Sequence, residues 1–150
     1  MTEIAVTPLE MPDAHELAPL IAAYAQDRKR GAPRAADEFY SELLLEDRTA
    51  ELIGARLDGR LVGFAVFFDL PDTMTGMRVG QLDDLFVMQD ARDRKVGHAL
   101  IAALRAEGEK RGWSHVRWMV PEKPATARRL AERLAQRSGW LSYSIVISPR

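Results

Sequence analysis

The sequence predicts an α/β fold with one mixed sheet and helices on both faces, and three observations predict it. Hydrophobic periodicity switches along the chain in the order β-α-α-β-β-β-α-β-α-β. Asp58-Gly59 separates two β-rich runs, a strong signal for a two-residue hairpin. The second run carries Val62, Phe64, Val66 and Phe68 and is apolar on both faces, as a central strand covered on each side would be. With 150 residues and no linker, repeat or composition shift, the chain reads as one domain, 1–150.

Each element has its own local reason. "EIAVTPL" has the composition of a first strand. "MPDAHELAPLIAAYAQDRKRG" follows as a helix, with Leu17, Leu20, Ile21 and Tyr24 at helical spacing and Tyr24 in a core register. Asp13 is expected to cap it, with Glu16 three residues on. Pro19 should bend that helix or mark a tighter first turn. "GAPRAADEF" breaks the run, and "ADEFYSELLLED" supplies a second short helix with Phe39, Leu43 and Leu44 as its expected buried face. "AELIGARLDGRLVGFAVFFDL" is the hairpin, "PDTMTGM" a loop, and "RVGQLDDLFVM" a strand whose two adjacent carboxylates interrupt an apolar run.

Residues 97–111 form a helix with Leu100, Ala103 and Leu104 inward, ending before Gly112. "SHVRWMVP" is a strand stopped by Pro121. "ATARRLAERLAQRSG" is a helix carrying Leu130 and Leu134, with Gly139 at the expected C-cap. "WLSYSIVIS" closes the chain as a strand.

Composition narrows the function classes. Apolar residues make up 47% and charged residues 29%, with a formal net charge of -1. That is a globular profile with no electrostatic support for nucleic-acid binding. The absence of cysteine removes thiol nucleophiles and thiolate metal sites. His15, His98 and His115 are dispersed and form no metal constellation, so no metal is expected. The first residues lack the basic and apolar regions of a signal peptide, and no segment approaches 18 apolar residues. A cytoplasmic protein without membrane contact is the expectation.

The stretch "LFVMQDARDRKVGHALIAAL" carries most of the functional information. A strand ends at Met88, and a charged loop with Arg92, Arg94 and Lys95 feeds a helix start near Gly97. Helix starts already expose unpaired N–H groups and partial positive charge. Three added cations are unfavourable there unless an anion arrives. Strand, loop and helix start together therefore make a candidate phosphate or diphosphate site. Neither G-x-G-x-x-G nor G-x-x-x-x-G-K-[ST] is present. A solvated polar turn is the alternative reading of the same residues.

The ordered set "LDDLFV", Arg92-Asp93-Arg94-Lys95-Val96-Gly97, "HAL", "VRWMV" and "SGWLSY" resembles the GNAT superfamily of acyl-CoA-dependent N-acyltransferases. "LDGRLVGFAVFF" resembles the family's second and third strands, so the likeness covers nearly the whole chain. The polyamine and thialysine acetyltransferase branch is the one that "LDDLFV" resembles most. The resemblance implies a mostly antiparallel central sheet and acetyl-CoA as acyl donor. It implies that the loop from Arg92 and Asp93 to Gly97 binds the CoA diphosphate, with backbone N–H groups available from Arg94, Lys95, Val96, Gly97, His98 and Ala99. It also implies that backbone of Leu85, Phe86 and Val87 holds the pantetheine arm, beside a bulge that opens a slot for the thioester. Lys95 stands where the family pattern has its first glycine, and fits if its φ is negative.

Amine acetylation needs a neutral amine, a held thioester and a proton source for the departing thiolate. Asp83 and Asp84 are the candidate carboxylates, sent to opposite faces if strand alternation holds. The resemblance places a functional glutamate at the Asp83 position, for acceptor binding or base relay. The family's usual acid, a tyrosine four residues before the glycine after the last helix, falls on Ala135. Tyr143 is then the candidate acid, Tyr40 a candidate acceptor contact, and Arg128 either a CoA phosphate contact or a surface cation. The resulting expectation is an acetyl-CoA-dependent N-acetyltransferase for a primary amine of a small molecule. A protein or peptide N-acetyltransferase and a non-catalytic CoA-responsive or interaction module on the same scaffold stay open, as does a plain domain whose slot is closed. Dimerisation is common in the family.

Overall fold

Asp58 and Gly59 both take positive φ, +50° and +83°, the backbone of a tight two-residue hairpin turn. They join β2 (Glu51–Leu57) to β3 (Arg60–Pro71) in the computed structural model, which describes residues 3–28, 38–123 and 125–148. β1 (Ile4–Pro8) lies antiparallel to β2, and β4 (Arg78–Val87) antiparallel to β3. β5 (Trp113–Trp118) runs parallel to β4, completing the sheet order β1-β2-β3-β4-β5. β3 is thus the central strand, as its two-sided apolar pattern required.

The chain divides into two units, 1–119 and 120–150. In the first, a core fills each face of the sheet. Leu17, Leu20 and Ile21 of α1 (Ala14–Asp27) pack with Leu52, Leu61, Phe64, Val66 and Phe86. Val96, Leu100 and Leu104 of α3 (Val96–Arg111) pack on the other face with Val62, Ala65, Phe67, Leu82 and Trp113. Trp113 is fitted against two glycines. A Cβ on Gly108 would lie 2.7 Å from the indole, and one on Gly80 would overlap it outright. Gly112 caps α3 with φ +80°, its N–H donating to the Gly108 carbonyl at 2.9 Å.

Pro19 is exposed and lies inside α1. Two local expectations are corrected. The Asp13 carboxylate makes no cap bond to α1. It accepts from the Glu10 N–H at 2.8 Å and, like Glu16, from Arg56 of β2. In α2 (Glu38–Glu46), Phe39 and Leu43 are exposed at 67% and 49%, while Ser41 is fully buried. Its hydroxyl donates to the carbonyl oxygens of Ala14 and Glu38 at 2.8 and 2.9 Å. A small satisfied side chain lets the two helices approach closely, and periodicity cannot foresee that. Of the stretch "GAPRAADEF", read as a break, residues 31–37 lie outside the described residues.

The second unit contains α4 (Ala125–Leu134). That helix ends five residues before Gly139, which therefore does not cap it. The stretch read as a final strand, "WLSYSIVIS", has no strand assignment. A strand exists only against a neighbour, and no strand pairs with this stretch among the described residues.

Candidate active site

β4 and β5 are paired from Arg78↔Trp113 to Leu82↔Trp118. β5 then ends, whereas β4 continues to Val87. From Asp83 to Val87 one edge of β4 has no strand partner among the described residues. Unpaired N–H and C=O groups on such an edge are ready to bind an extended ligand.

The bulge sits where the strands part. Val66 faces Asp84 across the β3–β4 ladder and Phe67 faces Leu82, so Asp83 is the extra residue. The insertion reverses the alternation. Leu82 packs on the α3 side, while Phe86 packs on the α1 side. Without the bulge, even-numbered side chains would share one face. The expected opposite-face arrangement of Asp83 and Asp84 therefore does not hold.

Asp83 is exposed and accepts from the Gln81 side chain at 3.1 Å, whose oxygen in turn accepts from Arg117 of β5 at 2.8 Å. Asp84 is half-buried and accepts from the Tyr24 hydroxyl of α1 at 2.9 Å. The Tyr24 ring is held edge-on to Phe64 and tilted over Phe86. Burial pushes the Asp84 carboxyl above the ordinary carboxylate range. The Tyr24 hydrogen bond opposes that shift, the nearby Asp83 charge adds to it, and Arg28 opposes it. A half-buried carboxyl with a raised pKa, at the mouth of an open strand edge, is a candidate proton acceptor at neutral pH. Tyr24, read as core, packs against it and is also the Asp84 partner that sequence reasoning did not single out. Its helical register announces only its packing.

The loop after β4 departs from expectation at two points. Lys95 has φ +64°, not a negative φ, and Asp93 also has φ +64°. Both are left-handed, a conformation costing a non-glycine residue roughly 1–2 kcal/mol. The Ala99 N–H is not available to a ligand, because it donates to the Lys95 carbonyl at 3.0 Å. Val96, Gly97 and His98 open α3 and have no intrahelical acceptor for their N–H groups. Arg92 is anchored. Its Nε donates to the Val87 carbonyl at 3.0 Å, its Nη2 lies 3.4 Å from Asp27, and its guanidinium sits 5.7 Å from the Phe86 ring centre. Arg94 and Lys95 are exposed, with no ion-pair partner among the described residues.

The remaining candidates lie elsewhere. Tyr40 is half-exposed on α2. Arg128 pairs with Glu132 on its own helix at 3.5 Å and donates to the Glu122 carbonyl. Tyr143 is 85% exposed in the second unit. No group of three His, Cys, Asp or Glu side chains able to hold a metal occurs among the described residues, and none of their helices is long and apolar enough to cross a membrane.

An open strand edge, a bulge beside it and a basic loop leading into a helix start lie together at one end of β4. Residues 15–135 match the Acetyltransferase (GNAT) family, and the chain belongs to it. The structure is similar to that of a ribosomal-protein-alanine N-acetyltransferase from Brucella melitensis biovar Abortus 2308. The two are 46% identical with a TM-score of 0.89, over 97% of this chain and 100% of that one. The sequence is 23% identical to N-acetyltransferase YhfO of Bacillus subtilis (strain 168), over 89% of this chain and 91% of that protein. An aminoglycoside acetyltransferase, HMB0005, from an uncultured soil metagenomic sample shares the fold at 23% identity and TM-score 0.78, covering 97% of this chain and 99% of its own. The protein is a GNAT-type acetyltransferase. None of these relatives supports the polyamine or thialysine branch.

Proposed function

We propose that the protein transfers the acetyl group of acetyl-CoA to the primary amine of a small cationic molecule, with Asp84 as the proton acceptor. The observation that carries this reading is the Tyr24–Asp84 pair beside the bulge, at the unpaired edge of β4. The fold family supplies the donor, and acetyl-CoA brings an activated thioester carbonyl. The residues present suit it. The N–H groups of Val96, Gly97 and His98 converge on a diphosphate, and Arg94 and Lys95 add unpaired positive charge. The free edge of Leu85–Val87 suits the amide-rich pantetheine arm, although Arg92 already occupies the Val87 carbonyl.

Asp83, exposed and oriented by Gln81, attracts the ammonium form of the acceptor. Asp84 takes one proton from it through water, because its raised pKa makes it a stronger base than an ordinary carboxylate. The neutral nitrogen then forms the C–N bond as the C–S bond breaks. The departing thiolate gains the second proton of the attacking nitrogen. Single-turnover transfer by Tyr143→Phe should then run at the wild-type rate.

A second reading, acetylation of a protein or peptide amino terminus, draws on the ribosomal-protein-alanine N-acetyltransferase at 46% identity. The deciding experiment presents acetyl-CoA with polyamines, aminoglycosides, amino-acid amides and alanine-initiated peptides, read by thiol release together with product mass. Acetylated small amines are expected. Acetylated peptide alone selects the second reading, and CoA binding without any acetylated product rejects both.

A further inference from the structure

Gln81 of β4 and Arg117 of β5 are direct neighbours across the parallel ladder. The Arg117 Nε donates to the Gln81 side-chain oxygen at 2.8 Å, and the Gln81 amide nitrogen donates to Asp83 at 3.1 Å. Chemistry fixes the amide's orientation from both ends. A guanidinium can only donate and a carboxylate can only accept, so the Gln81 oxygen must turn to Arg117 and its nitrogen to Asp83. Gln81 thereby holds apart two opposite charges that could otherwise close on each other.

The other arginines of this unit that make side-chain contacts are treated differently. Arg56, Arg60, Arg78, Arg92 and Arg111 each pair with a carboxylate. Arg117 is exposed, is bound to a neutral amide, and makes no ion pair among the described residues. Its charge acts on Asp72, but that carboxylate is held by the Thr75 hydroxyl. The bond at Nε orients the guanidinium and leaves its two Nη groups with donors to offer. Asp83 lies two residues beyond Gln81. With strands about 4.8 Å apart and a rise of about 3.3 Å per residue, the Asp83 and Arg117 backbones stand roughly 8 Å apart. An ammonium and a carboxylate joined by a short flexible chain match that separation.

We infer that Arg117 is a specificity-determining residue that binds a carboxylate on the acceptor, while Asp83 holds the amine to be acetylated. The inference rests on the proposed acetylation of a small amine and narrows the acceptor to an ω-amino carboxylic acid, cationic at its reacting end. A guanidinium can meet a carboxylate with two parallel N–H···O bonds, which sets direction as well as attraction. A polyamine or an aminoglycoside would instead bring a further cation up to Arg117, where like charge opposes it. Gln81 is the positioning residue, since it keeps Asp83 and Arg117 from neutralising each other.

The test compares ε-aminocaproate with its neutral amide, two acceptors of equal length that differ only in the charged end. The wild type should use the acid with kcat/KM about 10-fold above that of the amide. Arg117→Gln should bring the two level by raising KM for the acid alone, with kcat and the KM for acetyl-CoA unchanged. Arg117→Lys should keep part of the preference. Gln81→Leu, which lets Asp83 and Arg117 close on each other, should raise KM for both acceptors. Equal use of acid and amide by the wild type, or a preference that survives Arg117→Gln, would overturn the inference and leave amine acetylation standing. If no small amine is acetylated, the proposed function fails, and calorimetric binding of the two compounds to the CoA-bound protein decides the inference separately. Acid bound about 10-fold more tightly than amide, with the difference gone in Arg117→Gln, upholds it. Equal or absent binding overturns it.

Discussion

β4 is one continuous strand whose two halves have opposite surroundings. From Arg78 to Leu82 it is paired on both sides, by β3 and by β5. Gly80 there accepts the face of Trp113, and Arg78 is bound to Asp69 of β3. Arg111 closes that end by pairing with Glu51, Asp69 and Glu107, with its guanidinium 5.6 Å from the Trp113 ring centre. From Asp83 to Val87 the strand is bulged, loses one neighbour and carries a carboxylate that burial disfavours. The first half satisfies its backbone and fills its space. The second half leaves backbone unpaired and keeps a charge where it is costly. Strain and unmet bonds concentrate in the half where the proposed function places the acyl donor.

The contrast can be broken from the packed end first. Gly80→Val should destabilise the fold by about 3 kcal/mol, since any Cβ at this position overlaps the indole and cannot be relieved by rotating a flexible chain end. Urea unfolding would show a lower midpoint at unchanged slope. A wild-type midpoint would mean that Trp113 has room to move, and the two halves would differ less than described.

At the open end, Asp84→Asn should have the opposite signature. Turnover should fall about 100-fold while CoA affinity holds. Stability at pH 7 should rise. The folded-state pKa of Asp84 is raised by burial, so across that window the folded chain binds more protons than the unfolded one, and stability falls as pH increases. The contribution is fully present below the ordinary carboxylate range and is lost as pH climbs through the raised value. Asparagine has no charge to bury and can still accept from Tyr24. The variant should therefore melt above the wild type at pH 7, with the gap closing in acid. A lower melting temperature at pH 7 would make Asp84 a structural anion instead.

Tyr24→Phe is a finer probe. It keeps the ring contacts with Phe64 and Phe86 and deletes the bond that favours the Asp84 carboxylate. The acidic limb of the pH–rate profile should move to higher pH, with only a several-fold loss of rate on the alkaline plateau. Asp83 and Arg28, the other charged groups acting on Asp84, remain in both proteins. An unshifted limb would show that Tyr24 only packs.

The smallest effect concerns the loop that the open half feeds. Lys95→Gly removes a left-handed lysine at φ +64°, and relief of that strain is offset in part by glycine's greater freedom in the unfolded chain. A gain of about 1 kcal/mol or less is expected in thermal unfolding, with CoA affinity slightly weaker at low salt, where the lost charge is least screened. A large loss of stability would mean that the lysine side chain holds the loop.

The sequence by itself determined the elements up to the last helix, but not the final strand. The Asp58-Gly59 turn, the two-sided apolar run of β3, the stop at Gly112 and the basic loop before α3 are local signals, written in spacing and turn chemistry over a few residues. The candidate site was legible to the same extent: the loop and the two carboxylates could be picked out, but not their geometry. Only the tertiary structure decided that Asp83 is the bulged residue, that β5 stops at Trp118 while β4 runs on, and that Asp84 meets Tyr24 across 60 residues of chain. It also decided that Ser41 rather than Phe39 turns inward on α2, and that the strand-like segment 140–147 forms no strand. Each of these depends on what lies on the neighbouring strand or helix. A residue's own periodicity records which side chains avoid water, whereas register, bulges and pairing are set by partners distant in the chain.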